Sequence, residues 1–586
     1  MKDEWKLTDI FTSEEDFDNA ENELYEKIDE IKLLQGTLSN GPEALYNCYK
    51  KYEEAIKIDE LLYCYAMLKF HKDMSNTDSI KMYKRAEKIA TDFSEAVSFI
   101  DPELSKIEES KLQEYLKDER LKEYEKVLKD IIKGKKHILS EEVEKVMAKY
   151  SEVFSSTENI YDTFTNTEFE FPSIKDENGN ELKMTNGLYS KYLRNPNVDI
   201  RKQAFESMYS LYKKHINTIT ELYLSRVKKT TISANIRNFK SSLDMATYGD
   251  DSSVQVYDCL IKEVNKNLNL NHEYLELKKK LLNTDNMHMY DVYVNTLEDE
   301  DENIEYEDAK QTVLDALGIM GEEYTNQLKK AFENNWVDVY ETPNKRAGAY
   351  SMGVYGVHPF VLLNFVNSSR DVATIAHELG HSMHSYYANR TQNAINANYT
   401  IMVAEVASTV NEILLASYLI DKEQDKKKKA VLINNQLDDI RATLYRQAMF
   451  AEFEKDVHSK IEQGESLTSD SLNGIYYNLV KKYFGSSTEA DELIKYEWAR
   501  IPHFYSCFYV YKYSTGITSA IAIASKILAK EDGYVERYIN MLSQGGAKGS
   551  LELLKSVDVD LEKEETYEIA FDYFKKRLKE LEELSN

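Results

Sequence analysis

Seven prolines and twenty glycines are all that interrupt 586 residues, and between them run long stretches with apolar side chains at helical spacing. Residues 14–34, 105–132 and 141–153 are of this kind, rich in Glu, Lys, Leu and Tyr. A chain so patterned is expected to fold as a mainly α protein. Strand signals are few and local. One is the segment 163–182, where Asn178, Gly179 and Asn180 predict the turn of a hairpin. The other is HPFVLLNF at 358–365, an apolar run too short for a typical helix. Pro359 near its start predicts an edge strand, because proline cannot donate to a ladder. An edge offers free backbone groups to an extended peptide, which puts His358 among the candidate substrate-binding residues.

Just after this strand the chain reads His-Glu-Leu-Gly-His at 377–381. Two imidazoles four residues apart stand about 40° apart around a helix, so both reach one metal ion from one face. Glu378 then lies beside that ion as a carboxylate that is not a ligand. It can take a proton from attacking water and pass it to a leaving amine, the arrangement of a zinc metallopeptidase. The surrounding pattern supports a helix. Val372, Ile375, Ala376, Leu379, Met383 and Tyr386 fall within about 50° of one direction, while His377, His381 and His384 lie about 120° to 180° away. Ser368 or Ser369 is the expected N-cap, with Asp371 in the first turn favouring the helix dipole.

Zinc needs a third protein ligand. His384 shares the face but sits about 10.5 Å along the axis from His377, too far to join one ion. The metzincin pattern would need glycine at 384 and histidine at 387, where this chain has His384 and Tyr387. That leaves an acid from a second helix. The segment 399–420 has helical composition, and Glu405 is its first acid, flanked by Ala404 and Ala407, which permit close helix approach. Glu412 lies two turns further on the same face and is the alternative ligand; otherwise it orients the ligands by hydrogen bonding.

HELGHSMHS at 377–385 is accompanied by AEVAST at 404–409, RAGAYS at 346–351, LRNPNVDIRKQAF at 193–205 and IPHFYSCFYVYKYSTG at 501–516. In these blocks the chain resembles the oligoendopeptidase F branch of the thimet oligopeptidase family of zinc metallopeptidases. The resemblance implies one zinc ion held by His377, His381 and Glu405, with Glu378 as catalytic base. It also implies two largely helical lobes around a deep substrate channel, with a small sheet beside the zinc-binding helix, and short unstructured peptides as substrates. Within 501–516 it points to a histidine and a tyrosine that donate hydrogen bonds to the oxyanion. If Pro502 starts a helix, His503 and Tyr511 lie about 80° apart on it and are the expected pair. Tyr505 and Tyr509 are candidates for the same role or for substrate contact.

Other classes are disfavoured. The formal charge of −28, from 102 acids against 74 bases, argues against a nucleic-acid partner, since phosphate binding requires a basic surface. No stretch approaches 18 consecutive apolar residues and MKDEWKLTDIF lacks a signal-peptide core, so a cytoplasmic protein away from membranes is expected. Cys48, Cys64, Cys259 and Cys507 form no CxxC pair and are expected to be free thiols. The acidic run 297–308 reads as a solvated loop. We divide the chain at 195, into a helical N-terminal region (1–195) with the hairpin and a catalytic region (196–586). The expected activity is cleavage of internal peptide bonds. A carboxypeptidase using the same metal site is the alternative, and a helical peptide-binding or scaffold protein with a structural metal is the non-enzymatic one.

Overall fold

The computed structural model describes residues 3–297 and 303–585. Helices take up 73% of the chain and strands 4%, so the fold is mainly α, as the scarcity of proline and glycine requires. Two compact units interleave along the sequence. One comprises Met1–Ile138, Asp301–Leu419 and Ile523–Val559, the other Leu139–Glu300, Ile420–Ala522 and Asp560–Asn586.

The first unit begins with three packed helices, Glu14–Lys32, Pro42–Lys72 and Thr77–Val97. Ser13 starts the first with a reciprocal cap: its hydroxyl accepts the Asp16 amide while the Asp16 carboxylate accepts the Ser13 amide, which satisfies two amides that helix geometry orphans. Phe17, Leu24, Ile28 and Ile31 then recur at three and four residues and fill a core with Leu62, Met82, Ile89 and Phe93. The stretch 105–132 departs from the single helix its pattern predicts. It breaks into Glu109–Tyr115, a 3-10 turn at Glu119–Tyr124 and Glu125–Gly134, because the Asp118 side chain accepts the Arg120 amide and starts a new element.

The same unit holds a three-stranded sheet. Phe360–Phe365 lies in its centre, parallel to Val337–Tyr340 and antiparallel to Tyr350–Met352. This corrects the expectation of an edge strand at 358–365. Pro359 precedes the first paired residue, so its missing N–H costs no ladder bond, and the outer strands are Val337–Tyr340 and Tyr350–Met352 instead. Phe360 and Leu362 pack with Trp5, Cys64 and Leu68; Val361 and Leu363 point to the opposite side, and the helix that carries HELGH contacts both the central and the edge strand.

The second unit is built on buried aromatic side chains. Tyr209, Tyr212, Tyr223, Tyr257, Tyr274, Tyr445 and Tyr476 are all fully enclosed, and several hand their hydroxyls to main-chain or side-chain acceptors, as Tyr257 does to the Ala451 carbonyl at 2.7 Å. The hairpin within 163–182 is present as Ile174–Lys175 against Glu181–Leu182, with Gly179 at φ 82° in its turn and Asp176 accepting the Asn178 and Asn180 amides. Of the acidic run 297–308, residues 298–302 lie outside the described ones, and a helix starts at Tyr306. The four cysteines are free.

One helix, Ile401–Lys422, is long and apolar enough to cross a membrane by length and composition, although it holds no unbroken run of 18 apolar residues. Its most apolar stretch is 61% buried within the protein and it carries Glu405 and Glu412, so it is accounted for as a core helix.

Candidate active site

The HELGH helix spans Ser369–Thr391, and Ser368 is its cap: the hydroxyl accepts the Asp371 amide while Asp371 accepts that of Ser368. Val372, Ile375, Ala376, Leu379 and Met383 are buried, the stripe expected from their spacing, with Tyr386 half-buried. His384 is buried as well, its ring stacked 3.5 Å from that of Tyr399, and burial lowers its pKa to about 3. A neutral imidazole enclosed this way is a packing residue.

The other two histidines meet an acid from Ile401–Lys422. Ligand atoms of His377, His381 and Glu405 all lie within 4.8 Å of one another. Two imidazoles and a carboxylate so placed could hold a metal ion as three protein ligands and leave a coordination position open. Each imidazole is aimed by a second partner. His377 Nδ1 lies 3.0 Å from Glu412 Oε1, which leaves Nε2 for a metal, and the Ala404 carbonyl hydrogen-bonds the His381 ring. Glu412 thus stands behind His377, the kind of partner that histidines at metal sites commonly have. Burial opposes charge on His377, yet the Glu412 bond outweighs it and raises the pKa. Burial and the neighbouring His377 lower that of His381 to about 4.

What lets the two helices come this close is Gly380. A Cβ there would sit 2.5 Å from Ser408 Cα and 2.7 Å from the Ala407 carbonyl oxygen, so only glycine fits where the helices cross. Asn411 completes the junction by donating to the Ala376 carbonyl at 3.0 Å while accepting from the Tyr324 hydroxyl at 3.0 Å. The close approach expected from Ala404 and Ala407 thus depends on Gly380 as well. A glycine in the middle of an amphipathic helix, where it costs about 1 kcal/mol against alanine, was the available signal.

Glu378 is 6% exposed. Burial pushes its pKa up to about 7, Glu405 and Glu412 reinforcing the shift and His377 opposing it, a value suited to accepting and returning a proton near neutral pH. The Ser351 amide hydrogen-bonds the carboxyl, and Ser351 Oγ lies 2.8 Å from Ser382 Oγ. Since Ser351 belongs to the edge strand Tyr350–Met352, the sheet edge and the acid are joined directly. Gly353 permits this contact, for a Cβ there would meet Ser385 at 2.4 Å.

Three other expectations need correction. His358 stacks on Trp336 at 4.8 Å, its Nε2 3.2 Å from Asp9 and its Nδ1 2.8 Å from the Pro359 carbonyl, so both ring nitrogens are engaged in holding the start of the central strand. In the second unit, Pro502–Tyr505 forms a 3-10 turn and a separate helix starts at Tyr511, so the single-helix angle between His503 and Tyr511 does not apply. The bend between them is fixed at Phe508, whose φ is 61° and whose amide donates to the buried Glu454 at 2.9 Å. Tyr511 is fully buried and its phenol donates to Asp250 at 3.0 Å, which removes it as an oxyanion donor. Tyr505 is 2% exposed and stacks on Tyr161 at 4.3 Å, a core position rather than a substrate contact. The aromatic and imidazole rings this block leaves toward solvent are those of His503, Tyr509 and Tyr513. Tyr513 Oη lies 3.4 Å from His503 Nε2, and the Tyr509 ring flanks both.

Residues 191–573 match the model of peptidase family M3, and residues 103–171 that of oligopeptidase F. The chain belongs to peptidase family M3. Oligopeptidase PepF of Bacillus subtilis is 39% identical over 584 residues, covering 100% of this chain and 87% of the relative. The oligoendopeptidase F homolog of Borreliella burgdorferi is 38% identical, covering 99% and 98%. Among solved structures, a protein from Chlamydophila abortus superposes with a TM-score of 0.94 at 32% identity, covering 100% of this chain and 98% of that one. Oligoendopeptidase-F from Enterococcus faecium gives 0.73 at 33%, covering 97% and 99%. The M3 chain described here is therefore a peptidase of the oligoendopeptidase F kind, and its reaction class is peptide hydrolysis by a metallopeptidase.

Proposed function

We propose that this M3 peptidase is a zinc-dependent endopeptidase that cleaves internal bonds of short unstructured peptides in the cytoplasm. The observation that carries the reading is the convergence of His377, His381 and Glu405 within 4.8 Å next to a buried acid, Glu378, that is not one of the three. One zinc ion held by those side chains would supply a Lewis acid to the scissile carbonyl and the attacking water. Glu378 takes the proton from that water and delivers it to the leaving amine, its elevated pKa matching it to both transfers. Ser351 steadies the Glu378 carboxyl, and the edge strand Tyr350–Met352, paired among the described residues with Phe360–Phe365 alone, offers backbone groups to an extended substrate. His503 keeps the oxyanion-donor role that the family resemblance gives it, with its hydrogen-bonded neighbour Tyr513 replacing Tyr511. Tyr509, beside them, is the aromatic surface for substrate. The functional boundary near 195 is supported by the M3 match beginning at 191.

An internally quenched peptide, acetylated at one end and amidated at the other, tests this. Internal cleavage is expected, read by mass spectrometry of the products, with loss on chelation and recovery on adding zinc. An intact blocked peptide, with single residues removed from the C-terminus of its unblocked counterpart, would establish the carboxypeptidase instead, and turnover indifferent to chelation would refute the metal role.

A further inference from the structure

The helices that bring His381 and Glu405 together, Ser369–Thr391 and Ile401–Lys422, are joined by residues 392–400, and a third segment of the same unit grips that connection. It is the loop 543–549, which follows the helix Tyr534–Leu542 and carries three of the chain's glycines. The Ser543 carbonyl accepts the Gln392 side-chain amide at 2.9 Å and the Thr391 hydroxyl, so the loop is tied to the point where the first helix ends. Gly546 then donates its amide to the Asn396 carbonyl at 2.7 Å. Here the two main chains touch. A Cβ on Gly545 would sit 2.5 Å from the Asn396 oxygen and 2.9 Å from that of Ala397, and a Cβ on Gly546 would collide with the Asn398 oxygen. Gly545 also has a φ of 50°, which glycine adopts at no steric cost.

The loop's grip ends where the second helix begins. Ser550 is buried and places its Oγ 2.7 Å from Thr400 Oγ1. The Thr400 carbonyl accepts the amides of Val403 at 3.2 Å and Ala404 at 3.1 Å, so Thr400 closes the first turn of the helix that carries Glu405. Two groups of the site ride on that turn: the Glu405 carboxylate and the Ala404 carbonyl, which hydrogen-bonds the His381 ring. Tyr399, beside Thr400, is held from the other helix, its phenol 2.7 Å from Ser385 Oγ. The start of the Glu405 helix is thus fixed between Ser550 on one side and the HELGH helix on the other.

We propose that Ser550 and the Gly545–Gly546 loop are positioning residues of the metal site, holding residues 396–400 so that the Ala404 carbonyl and the Glu405 carboxylate meet His381. Gly380 sets how near the two helices cross. Thr400, anchored by Ser550, sets how the first turn of the second helix is rotated about its axis, and a carboxylate at the end of a side chain is displaced by any rotation of the turn that carries it. Groups that orient ligands from behind tune metal affinity without touching the ion. The inference rests on the reading of His377, His381 and Glu405 as metal ligands.

Zinc affinity of the folded protein and the visible spectrum of its cobalt-loaded form test this, with the stability of the metal-free protein measured on the same samples. Ser550→Ala and Thr400→Val each remove one end of the hydroxyl pair at nearly constant shape. Each is expected to weaken zinc binding about tenfold and to shift the cobalt absorption bands, which report how the ligands are arranged. The double variant should weaken binding no further than either alone, because the same bond is lost in all three. Gly546→Ala should cost more, since the Asn398 oxygen it meets is a main-chain atom; if that variant does not fold, the hydroxyl pair decides. Variants that lose stability yet keep native zinc affinity and a native cobalt spectrum show that the loop only packs, and overturn the inference while the metal site stands. A native protein that binds neither ion overturns the metal reading on which it rests.

Discussion

Glu378→Gln retains its metal ion and loses a factor of about 10² to 10⁴ in kcat. Glutamine has nearly the same shape and still offers an oxygen to the Ser351 amide, so the helix and the edge strand keep their contact. What it cannot do is accept a proton. The proposed ligands His377, His381 and Glu405 are untouched, and their partners Glu412 and the Ala404 carbonyl still aim the two imidazoles. Stability should hold or rise, because burial disfavours the charged form of Glu378 and the amide removes that charge. Turnover of the end-blocked peptide and metal content measured on the same preparation check both halves. A metal-loaded variant with native turnover would remove Glu378 from the mechanism.

The second large effect is expected at a residue that touches neither substrate nor metal. Gly380→Ala places a methyl 2.5 Å from Ser408 Cα, 2.7 Å from the Ala407 oxygen and 2.9 Å from the Ser408 nitrogen. All three are main-chain atoms of the opposing helix, so no flexible side chain can yield. The helices must part, and Glu405, one turn from Ser408, moves away from His377 and His381. Helix propensity alone predicts the opposite sign, a gain of about 1 kcal/mol for alanine over glycine. Overpacking costs about 1 to 3 kcal/mol, and the withdrawn ligand should weaken metal affinity by at least the roughly 10- to 100-fold seen when groups behind a ligand are lost. Urea denaturation and competitive zinc titration separate these accounts. A variant that gains stability and keeps native zinc affinity would show that the helix crossing does not set the site.

Much of the site could be read from one dimension because its parts lie on two regular helices. Four-residue spacing places His377 and His381 on one side, the apolar stripe fixes which side is buried, and a second, acid-bearing helix downstream supplies Glu405. These relations follow from helix geometry. What failed were inferences that depend on how separate segments meet. Pro359 predicts an edge, but proline just outside a strand says nothing of what pairs beyond it, and one outer strand is Tyr350–Met352, three residues with no strong strand pattern. Read as one helix, the aromatic block leaves Tyr511 available. The left-handed Phe508 breaks that block, and a left-handed phenylalanine held by the distant Glu454 leaves no local signal. The interleaving of the two units from three segments each is likewise invisible to composition, which changes little along the chain.

The most direct test of the central claim is the metal content of the purified native protein and of Glu405→Ala after exhaustive dialysis, with the ion located by anomalous diffraction. The expected result is one zinc ion per native chain, its density between His377, His381 and Glu405, and none retained by the variant. An active native protein free of divalent metal, or an ion bound elsewhere and unaffected by Glu405→Ala, would contradict it.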